Sequence, residues 1–557
     1  MPTTDMSSVD AAQNRAAMTA ADRAPRPRKA PRVLVLGGGS VGLYAAHRLR
    51  RRLGRRDAAI VVVDPRPYMS YAPFFPEVAA GSIDPRHVVA PHHRALKNVD
   101  TLLGKVSEIR HAERRVEITP EQGEPYWVTY DHLIVGLGSV ARTLPIPGLR
   151  EHGIGFKHVE EAIALRNMVV GRIDLAASTW DPELRRRLLT FTFVGGGFAG
   201  LEALGEAEDM ARAKIRTYKG MSAEDLRFVL VEGSHRVLPE VSEELGGYTL
   251  EQLRSRGIEV HLSTFLNSCV DGHVVLSSGV EFDSETIVWT AGVKANPVLQ
   301  NSDLPLDQMG RVRASTTLQV IEEDGTVVPD AYAAGDCAAV PDLYNPGSMC
   351  PPNAQHAIRQ AKHLGDNLAR VLRSAEPTEY KHKNVGAVAS LGMYKGVAQM
   401  FGRIKVRGFL AWVLHRTYHV AAMPTFNRKL RIATGWTAAF FLKREVVSLG
   451  SLAHPRAEFL AAAVPASPKP AVADASPVPS TVVTSTQVSA ERASAKKASA
   501  KKAPAKKVAA KKAPAKKAAA SAAAVDSAAA KKAAPRKATV KKAPAPQPVE
   551  PAATPEA

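Results

Sequence analysis

From Val33 to about Gly450, short apolar runs alternate with stretches whose apolar residues recur at helical spacing. The runs are VLVL (33–36), IVVV (60–63), LIVGL (133–137), FTFV (191–194), FVLV (228–231) and TIVWT (286–290). Strands separated by helical patterns predict an α/β fold built on parallel sheets. The pattern changes at both ends. Residues 1–31 are polar and rich in Ala, Arg and Pro, and too little apolar surface is present there to fold. After about 455 the chain becomes Ala, Pro, Ser, Val and Lys, which predicts a disordered tail.

The first functional signal is VLVLGGGSVGLYAAHRL, in which Gly37-x-Gly39-x-x-Gly42 leaves a strand and opens a helix. Glycine there allows a tight turn and lets backbone N–H groups and the helix N-terminus approach a pyrophosphate. Asp64 ends the next strand, at the distance expected for an acid that bonds a ribose diol. The pattern recurs in FTFVGGGFAGLEALGEAE as Gly195-x-Gly197-x-x-Gly200, with Glu232 closing the following strand. A Glu in that place accepts from a free diol and repels a 2′-phosphate, so NADH is expected over NADPH, with nearby Arg236 moderating the preference. Two fingerprints predict two dinucleotides, FAD and NAD(P)H being the usual pair.

Two further segments resemble flavin-domain elements: YDHLIVGLGSVARTLPIPG (130–148), with Gly138, and DAYAAGDCAAV (330–340), where Gly335 precedes Asp336, the expected ligand of the ribityl chain. The second lies beyond the NAD fingerprint, so the NAD domain is expected as an insertion in the FAD domain. The chain as a whole resembles the two-dinucleotide-binding flavoproteins and, among them, the type II NADH dehydrogenases. The resemblance covers about 33–450. Besides the two fingerprints it rests on YAPFFPEVAAG (71–81), Leu201-Glu202, WTAGVKANP (289–297) with Gly292, GDCA (335–338), PPNAQHAIRQ (351–360) and VGAVASLG (385–392). It implies FAD, NADH and a quinone acceptor. The expected division is an N-terminal extension 1–32, FAD-binding parts 33–152 and 297–375, an NADH-binding domain 153–296, a membrane-docking or dimerisation region 376–453, and a tail 454–557.

The family places a Glu, here Glu202, near nicotinamide and flavin; its bland alternative is an N-terminal helix acid favoured by the dipole. The family's Ala-Gln-x-Ala-x-Gln helix frames the quinone. Gln355 matches it, but Arg359 stands where the second Gln is expected, with Gln360 next. Arg is a cation and donor only, so Arg359 either suits a more anionic acceptor, stabilises reduced flavin, or is a salt-bridged helix residue. Lys383 and Lys395 either neutralise an anionic redox partner or are solvated surface residues.

Cysteine and charge narrow the picture. Cys269, Cys337 and Cys350 form no C-x-x-C pair, and YMSYAPFFPEVAAG and residues 140–200 contain none. A flavin without a thiol relay must pass electrons directly to its acceptor. No metal site is expected. In 408–444, Ile432, Trp436 and Phe440 recur at i, i+4, i+8 between Lys429, Arg431, Lys443 and Arg444. That stripe suits a helix lying in a membrane interface, or an ordinary core or dimer helix.

A hydrophobic content of 45%, mean hydropathy of −0.13 and 6% aromatics allow a buried core and argue against a polytopic membrane protein. No window supplies the ~18 apolar residues of a spanning helix. The N-terminus lacks an apolar signal region, so the cytoplasmic face of the membrane is expected. The net charge of +20 is mostly in the tail: residues 491–557 hold 17 Lys and Arg against 4 Asp and Glu, with basic pairs on a five-residue register. Such a segment suits anionic lipid or nucleic acid, read by charge alone, or simply adds solubility.

Overall fold

The computed structural model describes residues 30–383, 385–442 and 446–447. The expectations for the first 29 residues and for the tail lie outside them. All six predicted runs fall on strands, although those of LIVGL (133–137) and TIVWT (286–290) end at Val135 and Trp289. Arg32–Leu36 lies between Ala59–Asp64 and His132–Val135, parallel to both. This sheet has six strands, in the order Gln319–Ile321, Val327–Ala333, His132–Val135, Arg32–Leu36, Ala59–Asp64, Asp100–Leu103. The continuous apolar runs follow from its construction: strands covered by helices on both faces bury every side chain, as at Val33–Leu36.

A second sheet has five parallel strands, ordered Gly153–Ile154, Thr286–Trp289, Thr190–Val194, Arg227–Val231, Glu259–His261. All five residues of Thr190–Val194 are buried. The first sheet thus takes strands from both sides of the second in sequence. The two chain crossings between them pair with each other, Ser139–Ala141 antiparallel to Val293–Ala295. A three-stranded antiparallel sheet, Gly386–Ser390, Gly396–Met400 and Ile404–Arg407, follows, and helix Gly408–Ala422 packs on it.

Helix Ser40–Arg52, which the first fingerprint opens, packs along helix Ala354–Val371. Gly365 permits the approach, since a Cβ there would lie 3.0 Å from the Ala45 carbonyl oxygen. A fork of Arg48 to both oxygens of Asp366, at 2.9 and 2.8 Å, fixes the register.

Of the two readings of the stripe on the last helix, Phe426–Phe441, the core one holds at Ile432 and Trp436. Ile432 is 1% exposed, and Trp436 turns inward, its ring 5.6 Å from Phe74 and under the Arg416 guanidinium. Burial of these large apolar groups against the protein, at about 1.5–3 kcal/mol each, decides the helix's rotation. Phe409, Leu410 and Tyr418 on helix Gly408–Ala422, and Phe426, Leu430 and Leu442 after it, face out. The side chain of Phe440, and residues Lys443 and Arg444, lie outside the described residues. Among those described, no helix is long and apolar enough to cross a membrane.

Candidate functional site

The two glycine loops are built alike, atom for atom. In the first, Gly38 donates its N–H to Asp64 Oδ2 at 2.7 Å, and Arg66 donates its N–H to Oδ1 at 2.8 Å. In the second, Gly196 donates to Glu232 Oε2, and Ser234 to Oε1 at 2.7 Å. Each acid is held by the loop and by its own following turn, so it stands beside the glycine bend before any ligand arrives. Burial pushes the Asp64 carboxyl up, opposed by those two N–H donors and by His92.

The glycines divide into two kinds. A Cβ on Gly42 would lie 1.8 Å from the Gly37 carbonyl oxygen, and one on Gly200 would lie 2.0 Å from that of Gly195. These positions, with Gly37 at φ 92° and Gly195 at φ 114°, shape the turn itself. By contrast nothing lies within 4 Å of a Cβ on Gly39, Gly197, Gly138 or Gly292. Gly39 and Gly197 face open space at a helix N-terminus, which fits a pyrophosphate at each loop, whereas Gly138 and Gly292 face open space on the crossings between the two sheets.

Several separated segments complete the first cradle. A Cβ on Gly335 (φ 78°) would meet Val41 at 2.5 Å and Ala357 at 3.5 Å, so the 335–336 turn sits between the first fingerprint helix and the start of helix Ala354–Val371. Asp336 accepts from Ser139 Oγ at 2.7 Å and from Lys157 Nζ at 3.3 Å. Ser139 and Lys157 were absent from the sequence reading. Only their meeting with Asp336, 197 and 179 residues away, marks them.

Gln355 lies at the start of that helix, which Asn353 caps by accepting from His356 N–H at 2.8 Å. Its amide donates to the Gly386 carbonyl at 3.2 Å, and its oxygen contacts His382 Nε2 at 3.1 Å. Arg359 donates to the Gln355 carbonyl at 3.0 Å and has no ion pair among the described residues, so the salt-bridged alternative falls. Its cation depresses its neighbours: burial first, then Arg359, lowers His382 to about 4. Gln360 is buried and accepts the Gly335 N–H at 2.8 Å, so it holds the 335 turn instead of facing an acceptor. Lys383 is exposed and Lys395 half-buried.

Glu202 is not a solvated helix-end acid. It is 7% exposed, accepts the Ser390 N–H at 2.9 Å, and lies 2.9 Å from His415 Nε2. Burial, then the Glu206 charge, pushes its carboxyl up to about 8. The strand Gly386–Ser390 therefore touches Gln355 at one end and Glu202 at the other, four residues or ~13 Å apart.

The three thiols are buried. Burial pushes Cys337 and Cys350 up to about 11, which removes thiolate reactivity near neutral pH. Among the described residues no His, Cys, Asp or Glu group suits a metal ion.

A family model described as pyridine nucleotide-disulphide oxidoreductase matches residues 31–361. The type II NADH:quinone oxidoreductase Ndh of Mycobacterium tuberculosis is 28% identical over 434 residues, covering 75% of this chain and 90% of that protein. The internal alternative NAD(P)H-ubiquinone oxidoreductase A1, mitochondrial, of Arabidopsis thaliana is 26% identical over 449 residues, covering 75% and 85%. Among solved structures, NDH2 from Plasmodium falciparum in complex with NADH shares the fold at a TM-score of 0.69 and 15% identity, covering 75% of this chain and all of that one.

Proposed function

The chain belongs to the pyridine nucleotide-disulphide oxidoreductase family, and from that premise we propose that it is an FAD-dependent NADH:quinone oxidoreductase. The observation that carries the reading is the pair of matched loop–acid constellations in a chain whose thiols are buried and unreactive. Relatives named type II NADH:quinone oxidoreductase support the acceptor class.

FAD, when bound, supplies two-electron transfer between NADH and the acceptor. Residues 33–152 and 297–375 would hold it, the Gly37–Gly42 loop on the pyrophosphate, Asp64 on the ribose, and Asp336 with Ser139 on the ribityl chain beyond Gly138, joined by Lys157 from the NADH-binding segment. Residues 153–296 would bind NADH, with the Gly195–Gly200 loop on the pyrophosphate, Glu232 on the adenine-side ribose, and Gly292 beside the open crossing. Gln355 would position the acceptor through its amide, itself fixed by Gly386 and His382. Glu202 presents a carboxyl that burial keeps protonated near pH 7.

An acceptor screen on the purified flavoprotein tests this. NADH should bleach the flavin absorbance, and a menaquinone or ubiquinone analogue should restore it over many turnovers. Bleaching without quinone turnover would overturn the acceptor. One observation favours a second reading: Arg359, without a carboxylate partner among the described residues, suits an anionic soluble oxidant or carrier. The same screen separates the two.

The region 376–453 is proposed to dock the enzyme on the cytoplasmic face of the membrane, or to form a homodimer. The support is the outward set Phe409, Leu410, Phe426 and Leu430 beside Lys429 and Arg431. The basic tail adds attraction to anionic lipid at about 1 kcal/mol per Lys near the surface, or to nucleic acid. Liposome co-sedimentation across salt, with and without residues 491–557, measures it. Unchanged binding on deletion removes the tail from the account.

A further inference from the structure

Three elements far apart in sequence bury polar side chains against one another. Helix Phe75–Ala79 contributes Glu77, helix Phe198–Ile215 contributes Glu202 and Glu206, and helix Gly408–Ala422 contributes His415, Arg416 and His419. Glu77, Glu206 and His415 are fully buried. His415 Nε2 is 2.9 Å from Glu202 Oε1, and its Nδ1 is 4.0 Å from Glu77 Oε1. The imidazole therefore stands between two carboxyls, one nitrogen toward each. Arg416 approaches Glu206 at 3.6 Å, and Ser390 Oγ reaches the same oxygen at 3.4 Å. Among the described residues, Glu77 and Glu202 have no guanidinium within ion-pair distance.

The arrangement is poorly explained as a stabilising one. Neither oxygen of Glu77 and neither ring nitrogen of His415 completes a hydrogen bond of good geometry. Unpaired buried polar groups cost free energy. Burial dominates both carboxyls and pushes each up to about 8, while the same burial, with the Arg416 charge, lowers His415 to about 3. At neutral pH the three groups are two acids and an uncharged imidazole, a set in which protons move without separating charge.

The set also has an outlet. His419 follows His415 by one helical turn on the same face, and the two rings stand 4.5 Å apart. His419 is half-buried, contacts Tyr71 OH at 3.0 Å through Nδ1, and packs against the exposed Tyr418.

We propose that His415 and Glu77 form a buried proton-transfer unit that exchanges with solvent at His419 and reprotonates Glu202 during acceptor reduction. This rests on the quinone reading above. Reduction of a quinone by NADH consumes one solvent proton per turnover, since NADH brings two electrons and one proton and the quinol carries two protons. Glu202 gives its proton to the acceptor oxygen. When the ring closes to hydrogen-bond geometry on both carboxyls, the Glu202 carboxylate takes a proton from His415 Nε2 as Nδ1 takes one from Glu77; Glu77 is refilled from the His419 edge, and rotation of the imidazole restores a proton-bearing nitrogen toward Glu202 for the next turnover. No electron moves in these steps. His415 and Glu77 are positioning and relay residues that act through Glu202.

The test compares H415Q and E77Q with the wild-type flavoprotein, using short-chain benzoquinone and naphthoquinone as probes. In H415Q, quinone-driven recovery of flavin absorbance should slow about tenfold or more, with a larger solvent deuterium effect, while NADH-driven bleaching stays within about twofold. Infrared spectra taken without NADH or quinone should show a carboxylic-acid carbonyl band at neutral pH that E77Q lacks. Unchanged recovery in H415Q overturns the relay, as does a slowing of both half-reactions to the same extent. If H415Q does not fold, E77Q, an isosteric change, carries the same comparison, and an infrared band unaltered by it overturns the proposal. If the wild type bleaches but no quinone restores it, the quinone reading fails. The Glu77 band then still decides whether the protonated unit exists.

Discussion

Ser390 donates its backbone N–H to Glu202 Oε1 at 2.9 Å, across 188 residues of sequence. The bond ties the second turn of the second fingerprint helix to the strand whose other end anchors Gln355. A donor on only one oxygen of a buried carboxyl does not offset its desolvation, and the group stays protonated to about pH 8.

Replacing Glu202 by Gln keeps the volume and the Ser390 bond but removes the exchangeable proton. Acceptor-dependent turnover should fall about 10²-fold with NADH affinity little changed. Steady-state and single-turnover kinetics check the split. A loss confined to the KM for NADH would assign Glu202 to nicotinamide binding instead.

Glu77 and Glu202 also make stability depend on pH. Burial raises both folded-state values above the ordinary carboxylate range, to about 8. Their contribution is therefore full at acid pH, below the unfolded value, and is lost as pH rises through about 8. The Tm set by these groups should decline between about pH 5 and pH 9, and E77Q should flatten the decline. A profile of the same shape in E77Q would show that Glu77 is ionised in the folded protein.

The two kinds of glycine separate folding from binding. In G42A the new methyl meets backbone at 1.8 Å, and destabilisation of about 1–3 kcal/mol or more is expected. G39A and G197A have room in the free protein, so each should fold with an unchanged far-ultraviolet spectrum. G39A should lose flavin, read from the ratio of visible to protein absorbance. G197A should keep flavin and lose NADH affinity. Full flavin content in G39A would remove that loop from the FAD site.

Glu232 is preset by Gly196 and Ser234 to accept from a ribose diol. E232A should raise the KM for NADH roughly tenfold, the value of one charge-assisted hydrogen bond, and narrow the preference over NADPH. An unchanged ratio of the two cofactors would assign discrimination to Arg236.

Arg359 has no ion pair to lose among the described residues, so R359Q should leave the Tm within about 1 °C of wild type, as for substitutions that break no packed network. It should instead change the acceptor KM and the pH dependence of His382, whose imidazole is lowered partly by that cation. A large fall in Tm with unaltered acceptor kinetics would make Arg359 structural.

Local chemistry determined much of this protein in advance. A strand, a glycine bend, a helix and an acid are neighbours along the chain, so Gly37–Gly42 with Asp64, and Gly195–Gly200 with Glu232, could be read as dinucleotide loops. Continuous Val and Ile runs marked the buried parallel strands for the same reason. What the tertiary structure alone decided concerns residues brought together across 100 residues or more. The stripe of Ile432 and Trp436 read as either a membrane face or a core face because periodicity gives a helix an apolar side without saying what covers it, and Phe74 and Arg416 cover Trp436 here. Lys157 and Ser139 joined Asp336 only in the folded chain. His415, an isolated letter in an apolar helix, gained its chemistry from Glu77 and Glu202, 338 and 213 positions away. Periodicity encodes which side of an element is apolar, whereas the protonation of a buried group depends on the dielectric and charges around it, and those are supplied by distant segments.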